Sequence, residues 1–211
     1  MKRCVLLLAA LSVAAVAGCA TPAMRQPDSS PQEAAAARYA HPGPSAITLY
    51  TMINNRSGAG AHSSMMISAP SQRVIFDPAG SVRAKGVPEI QDVLYGITPA
   101  VADFYERAHA RESFRVRIQR IEVPPQVAER AIALAQSHGA VGQAQCTQAT
   151  SGVLRQLPGF GALRQTWFPN TLADQMATLP GVTERVLRED DADDKTLAVA
   201  QFETGAAQPR P

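Results

Sequence analysis

The sequence predicts an α+β domain in which strands come first and helices follow. Three observations carry that expectation. Between residues 47 and 77, short runs rich in β-branched and aromatic residues are closed by turn chemistry, at Asn54-Asn55-Arg56-Ser57-Gly58 and at Pro78-Ala79-Gly80. From residue 126 onward apolar residues recur at helical spacing, punctuated by Gly and Pro. Between these regions, Phe114 to Val123 alternates as a half-buried strand should.

Taken in order, Ile47 to Ile53 is the first strand. His62 to Ser68 and Arg73 to Asp77 form a hairpin around Ala69-Pro70-Ser71-Gln72. If that hairpin pairs residues whose numbers sum to 141, position 62 faces 79, and Asp77 lies diagonally from His62 on the same face. A slip of one residue would put Asp77 on the opposite face. A helix is expected around Pro99 to Ala110, then the strand 114–123, which Pro124-Pro125 stops. Gln126 to Ser137 places Val127, Ala131, Leu134 and Ala135 on one helical face, with Gly139 as terminator. A helix opening at Cys146 runs to Pro158-Gly159, and a short one covers Thr171 to Leu179 before Pro180-Gly181.

The flanks differ from this core. Lys2-Arg3, an apolar run from Val5 to Ala17 and small residues before Cys19 have the three parts of an export signal, too short to span a membrane as a helix. Val16-Ala17-Gly18-Cys19 resembles the lipobox of bacterial lipoproteins. That resemblance implies a signal peptide over 1–18 and a thioether-linked diacylglycerol on Cys19, whose several acyl chains make anchoring stable. Ala20 stands where Asp would suggest inner-membrane retention, so the expected location is the outer membrane, facing the periplasm. The domain divisions follow: a lipidated N-terminus and flexible tether over 19–45, rich in Ala, Pro and Ser; one domain over 46–188; and an acidic, disordered tail over 189–211. The whole chain has 20 basic and 18 acidic residues, and Lys2 and Arg3 leave with the signal. A formally neutral mature chain offers no charge argument for nucleic-acid binding.

Of three cysteines, Cys4 leaves with the signal and Cys19 carries lipid, so Cys146 is the one free thiol in an oxidising compartment. Such a residue is either inert in helix packing or kept as a reactive group. Gly139-Ala140-Val141-Gly142 and Gln145 before it, and a helix-forming stretch after it, place the sulfur at a helix N-terminus. The stretches around His62, around Asp77 and from Ala135 to Thr147 resemble, in that order, the circularly permuted branch of the papain-like NlpC-type superfamily. There a His strand and a polar residue precede the Cys helix instead of following it. The resemblance implies a permuted papain-like fold, an antiparallel sheet packed against the helix that carries the cysteine. It also implies cysteine amidase or peptidase chemistry on cell-wall peptides, with acyltransferases and lipid or thioester enzymes among the relatives.

The chemistry stands on its own terms. A thiol of pKa about 8.5 is only ~3% thiolate at pH 7, whereas a pKa near 6, within the range of cysteines at helix N-termini beside a histidine, gives ~90%. The helix dipole and an imidazolium share that stabilisation, and unpaired N–H groups of the first turn can receive an oxyanion. His62 is the expected base, with His138 as its rival eight residues before Cys146. His41 lies in the tether. His109, at the end of a surface helix beside Arg107 and Arg111, is expected to be solvated. Asp77 is the expected third residue, orienting the imidazole; it could equally only start its turn, and Asn54 or Asn55 stays possible.

Other motifs carry no chemistry. Gly58-Ala59-Gly60 precedes a strand and lacks the third glycine of a dinucleotide fingerprint. No Cys or His pair has metal-ligand spacing, so neither metal nor cofactor is expected. Ser63 and Ser64 have no nucleophile elbow around them. Trp167-Phe168-Pro169 reads as a cap after the Cys helix or a groove wall. The expectation is a lipid-anchored cysteine hydrolase acting through Cys146, His62 and Asp77 on peptide amides, including peptidoglycan stems. The alternatives are a lipid or thioester hydrolase or acyltransferase on the same fold, and a non-catalytic lipoprotein that binds an envelope partner.

Overall fold

The computed structural model describes residues 27–205. The signal segment, Cys4, the lipobox with Cys19 and the last six residues lie outside the described residues. Within them the fold is mixed α and β. Strands β1 (Ala46–Asn54), β2 (Gly60–Ser68), β3 (Arg73–Phe76), β4 (Glu89–Ile90), β5 (Val93–Leu94), β6 (Phe114–Glu122) and β7 (Thr183–Leu187) form one sheet of order β4-β5-β3-β2-β1-β6-β7. Every pairing is antiparallel. The helices are α1 (Pro31–Ala36), α2 (Pro99–His109), α3 (Pro125–His138), α4 (Cys146–Leu154), α5 (Pro169–Ala177) and α6 (Lys195–Glu203). Proline at the first turn starts α2, α3 and α5, where its missing N–H costs nothing and its fixed φ suits the helix.

β1 lies inside the sheet between β2 and β6 and is buried on both faces. Its alternating residues feed two cores. Ile47 and Leu49 join Met65, Ile67, Val74 and Phe76 beneath α3, α4 and α5. Tyr50 and Met52 join Ile75, Val116 and Ile118 beneath α2. The β2–β3 hairpin has the expected register, pairing Met65 with Phe76 through Ser68 with Arg73. Continued past the end of β3, that register puts Asp77 beside Ser64 and diagonal to His62.

Both flanks differ from expectation. Residues 28–45, expected to be a free tether, pack on the domain. Ser30 and Glu33 form a capping box for α1, Ala34 enters the larger core, and Ser29 bonds to Glu89 through both backbone and hydroxyl. Gly96 has φ 72°, and a Cβ there would lie 2.8 Å from the Ala37 carbonyl oxygen, so the segment passes hard against the sheet. The acidic region 189–205 is ordered as well. Asp194 caps α6, Ala198 is buried, and Phe202 stacks on Phe104 of α2 with centroids 4.4 Å apart. Polar composition suggested solvation of these segments, but a few small and aromatic side chains at helical spacing suffice to dock each one.

Candidate active site

Three elements converge where β3 stops short. β2 continues beyond the last β3 pair, so residues 62–64 have no strand opposite on that side. The N-terminus of α4 fills the space. The Ser63 carbonyl accepts from the Thr150 hydroxyl at 3.4 Å, its hydroxyl accepts from Thr147 at 3.1 Å, and its backbone favours the thiolate form of Cys146. The edge of the sheet thus fixes the height of the helix, and with it the thiol. Cys146 is the first residue of α4; the first intrahelical bond is Ala149 N–H to Gln145 C=O, so the N–H groups of Cys146, Thr147 and Gln148 precede it.

His62 reaches the sulfur from the strand. Its Nε2 lies 2.7 Å from Asp77 Oδ1, which leaves Nδ1 as the ring nitrogen that can serve the thiol, and the imidazole and the Cys146 sulfur are close enough for each to shift the other's pKa. Burial by itself would lower the His62 pKa; the Asp77 hydrogen bond and charge, together with the Cys146 contact, outweigh it and raise the value to about 9. Burial by itself would raise the Cys146 pKa; the His62 hydrogen bond and charge, with the Ser63 N–H and the Thr147 hydroxyl, outweigh that and lower it to about 7. Each shift is the other's cause. They describe a thiolate–imidazolium pair populated around neutral to mildly alkaline pH.

Asp77 is fully enclosed and held from several directions. Tyr105 of α2 places its hydroxyl 2.8 Å from Asp77 Oδ1 and 2.7 Å from Ser64 Oγ. With one proton to give, it can donate to the carboxylate and accept from the serine. Burial would raise the Asp77 pKa, but the His62 hydrogen bond and charge, helped by Tyr105, hold it below the ordinary carboxylate value. Gly80 is required here: a Cβ at that position would fall 1.9 Å from Asp77 Oδ2. Asp92, in the β4–β5 turn with φ 65°, accepts from the N–H groups of Ala79 and Val141 at 3.1 and 2.9 Å. One carboxylate therefore ties the Asp77 loop to the loop that delivers Cys146. No family model, characterised protein or solved structure matches this chain. The reading of the site rests on its own geometry.

Among the sequence-predicted residues, Cys146, His62 and Asp77 come together. The others do not join them. His138 is exposed, tilts against Phe76 and bonds to the Gly139 carbonyl. His41 contacts Tyr39. Asn54 organises its own turn, accepting from the N–H groups of Arg56 and Ser57, and Asn55 donates to the Glu112 carbonyl. Trp167 and Phe168 are exposed before α5.

His109 overturns its expectation. It is 6% exposed rather than solvated, stacks on His62 with centroids 6.1 Å and planes 13° apart, and donates from Nδ1 to the Tyr105 carbonyl at 2.8 Å. Burial, then the charges of Lys195 and His62, push its pKa down to about 3. Its place four residues after Tyr105 is the one sequence signal, since both then lie on the inward face of α2. Beside the two histidines opens a cavity of about 270 Å³, walled in part by Met52, Arg111 and Phe114 and reached by Asp193 and Lys195 from the C-terminal region.

Proposed function

We propose that the protein is a cysteine hydrolase of the cell envelope, a lipid-anchored amidase or peptidase built on a circularly permuted papain-like plan. The observation that carries this reading is the connected set Cys146–His62–Asp77, with the sulfur at the first turn of α4. In the reaction, the Cys146 thiolate attacks the substrate carbonyl and the N–H groups of the first turn of α4 receive the oxyanion. The tetrahedral intermediate expels the amine, which takes the proton from imidazolium His62, leaving an acyl thioester on Cys146. His62, now neutral, removes a proton from water as it attacks the thioester; the carboxylic acid leaves and the thiolate–imidazolium pair is restored. Asp77 orients the imidazole and favours its charged form.

Peptide amides, including those of peptidoglycan stems, are the leading substrates, because His62 is charged and poised to protonate an amine. The test is hydrolysis of purified wall fragments and of acyl esters by the wild type and by Cys146→Ala. Cleavage of the fragments that depends on Cys146 supports the amidase, and cleavage of esters alone moves the activity to lipid or thioester substrates. No Cys146-dependent turnover of either kind leaves the envelope-binding alternative. Anchoring through Cys19 has its own measurement. Cys19→Ala should abolish lipid attachment and release the protein into the soluble periplasmic fraction, and an unlipidated wild type would refute the anchor.

A further inference from the structure

The cavity beside His62 has an electrostatic feature that the hydrolytic chemistry does not use. Lys195 opens α6, where a cation opposes the helix dipole. Its ammonium lines the cavity, and its hydrogen-bond contact among the described residues is the Ser81 hydroxyl at 3.5 Å, with no ion pair formed there. The nearby Asp77 carboxylate is already committed to His62 and Tyr105. Arg111 lines the same space with its side chain 4% exposed. Its Nη1 lies 3.5 Å from Asp191, and its Nε is buried with no acceptor. The acid that lines the cavity, Asp193, accepts from the Ser113 N–H at 3.0 Å. A half-buried ammonium with no ion pair among the described residues therefore faces one small space, while Arg111 adds positive charge to its wall, so a bound anion would gain a charge-assisted hydrogen bond there.

The position of the cavity says which part of a substrate would enter. His62 lines the cavity and acts on the thiol, whereas Cys146 does not line it. A group seated there is reached from the sulfur by way of the imidazole, which is where the departing amine receives its proton. We propose that this cavity is the leaving-group subsite and that it selects amines bearing a free carboxylate, with Lys195 supplying the counter-charge and Arg111 adding to the positive potential of the wall. The inference rests on the hydrolase reading for the direction of the reaction. The cavity, at about 270 Å³, is near the lower limit of small-ligand pockets, ~300 Å³. The leaving group it fits is a short C-terminal fragment of a peptide.

The test separates the subsite from the activity. The full chain carrying Cys146→Ala is held in equilibrium dialysis against a mixed dipeptide library in free-acid and C-terminally amidated forms. Free acids should be retained at least about tenfold better, the equivalent of one charge-assisted hydrogen bond. Adding Lys195→Met should erase that preference, and Lys195→Arg should keep it. Since Lys195 works against the dipole of its helix, Lys195→Met should fold at least as well, which circular dichroism checks. Equal retention of acids and amides, no retention of either, or a preference that survives Lys195→Met would overturn the subsite. Retention of acids by a protein whose wild type cleaves no amide would refute the hydrolase and support the carboxylate site.

Discussion

Two histidines stack ring to ring in this molecule, and their surroundings drive them to opposite states. His62 is protonated up to about pH 9, while His109 stays neutral down to about pH 3. Burial lowers the pKa of both. The difference is the partner: Nε2 of His62 meets a buried carboxylate, whereas Nδ1 of His109 meets only the Tyr105 carbonyl. Once one ring is charged, its charge and that of Lys195 press the other toward neutrality. The neutral ring can then cover the charged one without competing for Asp77. Charge in the site is therefore placed by a single aspartate, and that aspartate is placed by a glycine that leaves it room.

Removing the charged histidine or its thiol should have the greatest consequence. Cys146→Ala should abolish hydrolysis. His62→Ala should lower the rate by roughly 10²- to 10⁴-fold, the usual contribution of a general acid and base. It should also move the thiol: loss of the hydrogen bond and charge that depress the Cys146 pKa lets it rise, so half-maximal alkylation should shift upward from about 7. Alkylation unchanged by His62→Ala would show that the pair is not coupled.

A smaller change should make the first histidine resemble the second. Asp77→Asn keeps the shape and removes the charge, so His62 should lose protons at lower pH and the rate should fall about 10- to 100-fold, as expected for one charged hydrogen bond. Gly80→Ala should act in the same direction without substituting any of the three residues, because its Cβ would displace the Asp77 carboxylate. The pH profile of hydrolysis checks both. For the wild type the rate should climb as Cys146 ionises through about pH 7 and decline as His62 deprotonates through about pH 9. In Asp77→Asn the alkaline limb should move down. An alkaline limb that stays in place would sever Asp77 from the charge of His62.

Much of this site was legible in the chain, for reasons that differ by residue. Cys146 could be found because cysteine arithmetic left one thiol and local glycines opened a helix there. Asp77 could be found because strand register is an integer problem: once Ser68 pairs with Arg73, the face of residue 77 follows. His109, Tyr105 and Lys195 were hidden for a common reason. The residues of α2 pattern as an ordinary surface helix, yet Tyr105 and His109 face the sheet while Phe104 and Ala108 are covered by α6, whose acidic approach over 189–194 looks solvated. Polar composition conceals a docking helix when the contacts that dock it are as few as Ala198 and Phe202. Short strands were missed as well; β4 and β5 have two residues each, below the length at which alternation is readable.

The mildest perturbation is the one made at the neutral ring. His109→Phe preserves a flat ring against His62 while removing the imidazole nitrogens. If His109 is neutral, it contributes no charge to its neighbour, and the His62 titration, followed by NMR of its ring protons, should keep its midpoint within about half a pH unit. A charged His109 would give a different result. Removing that positive charge would relieve repulsion, and the His62 midpoint would climb clearly above about 9. The Nδ1–H bond to the Tyr105 carbonyl is lost in either case, so a control in which His109→Gln restores a donor separates charge from hydrogen bonding. With Phe and Gln both leaving His62 in place, the carboxylate alone accounts for the difference between the two rings. A rise in the Phe variant and in the Gln variant alike would put a second positive charge in the site and withdraw the neutral role assigned to His109.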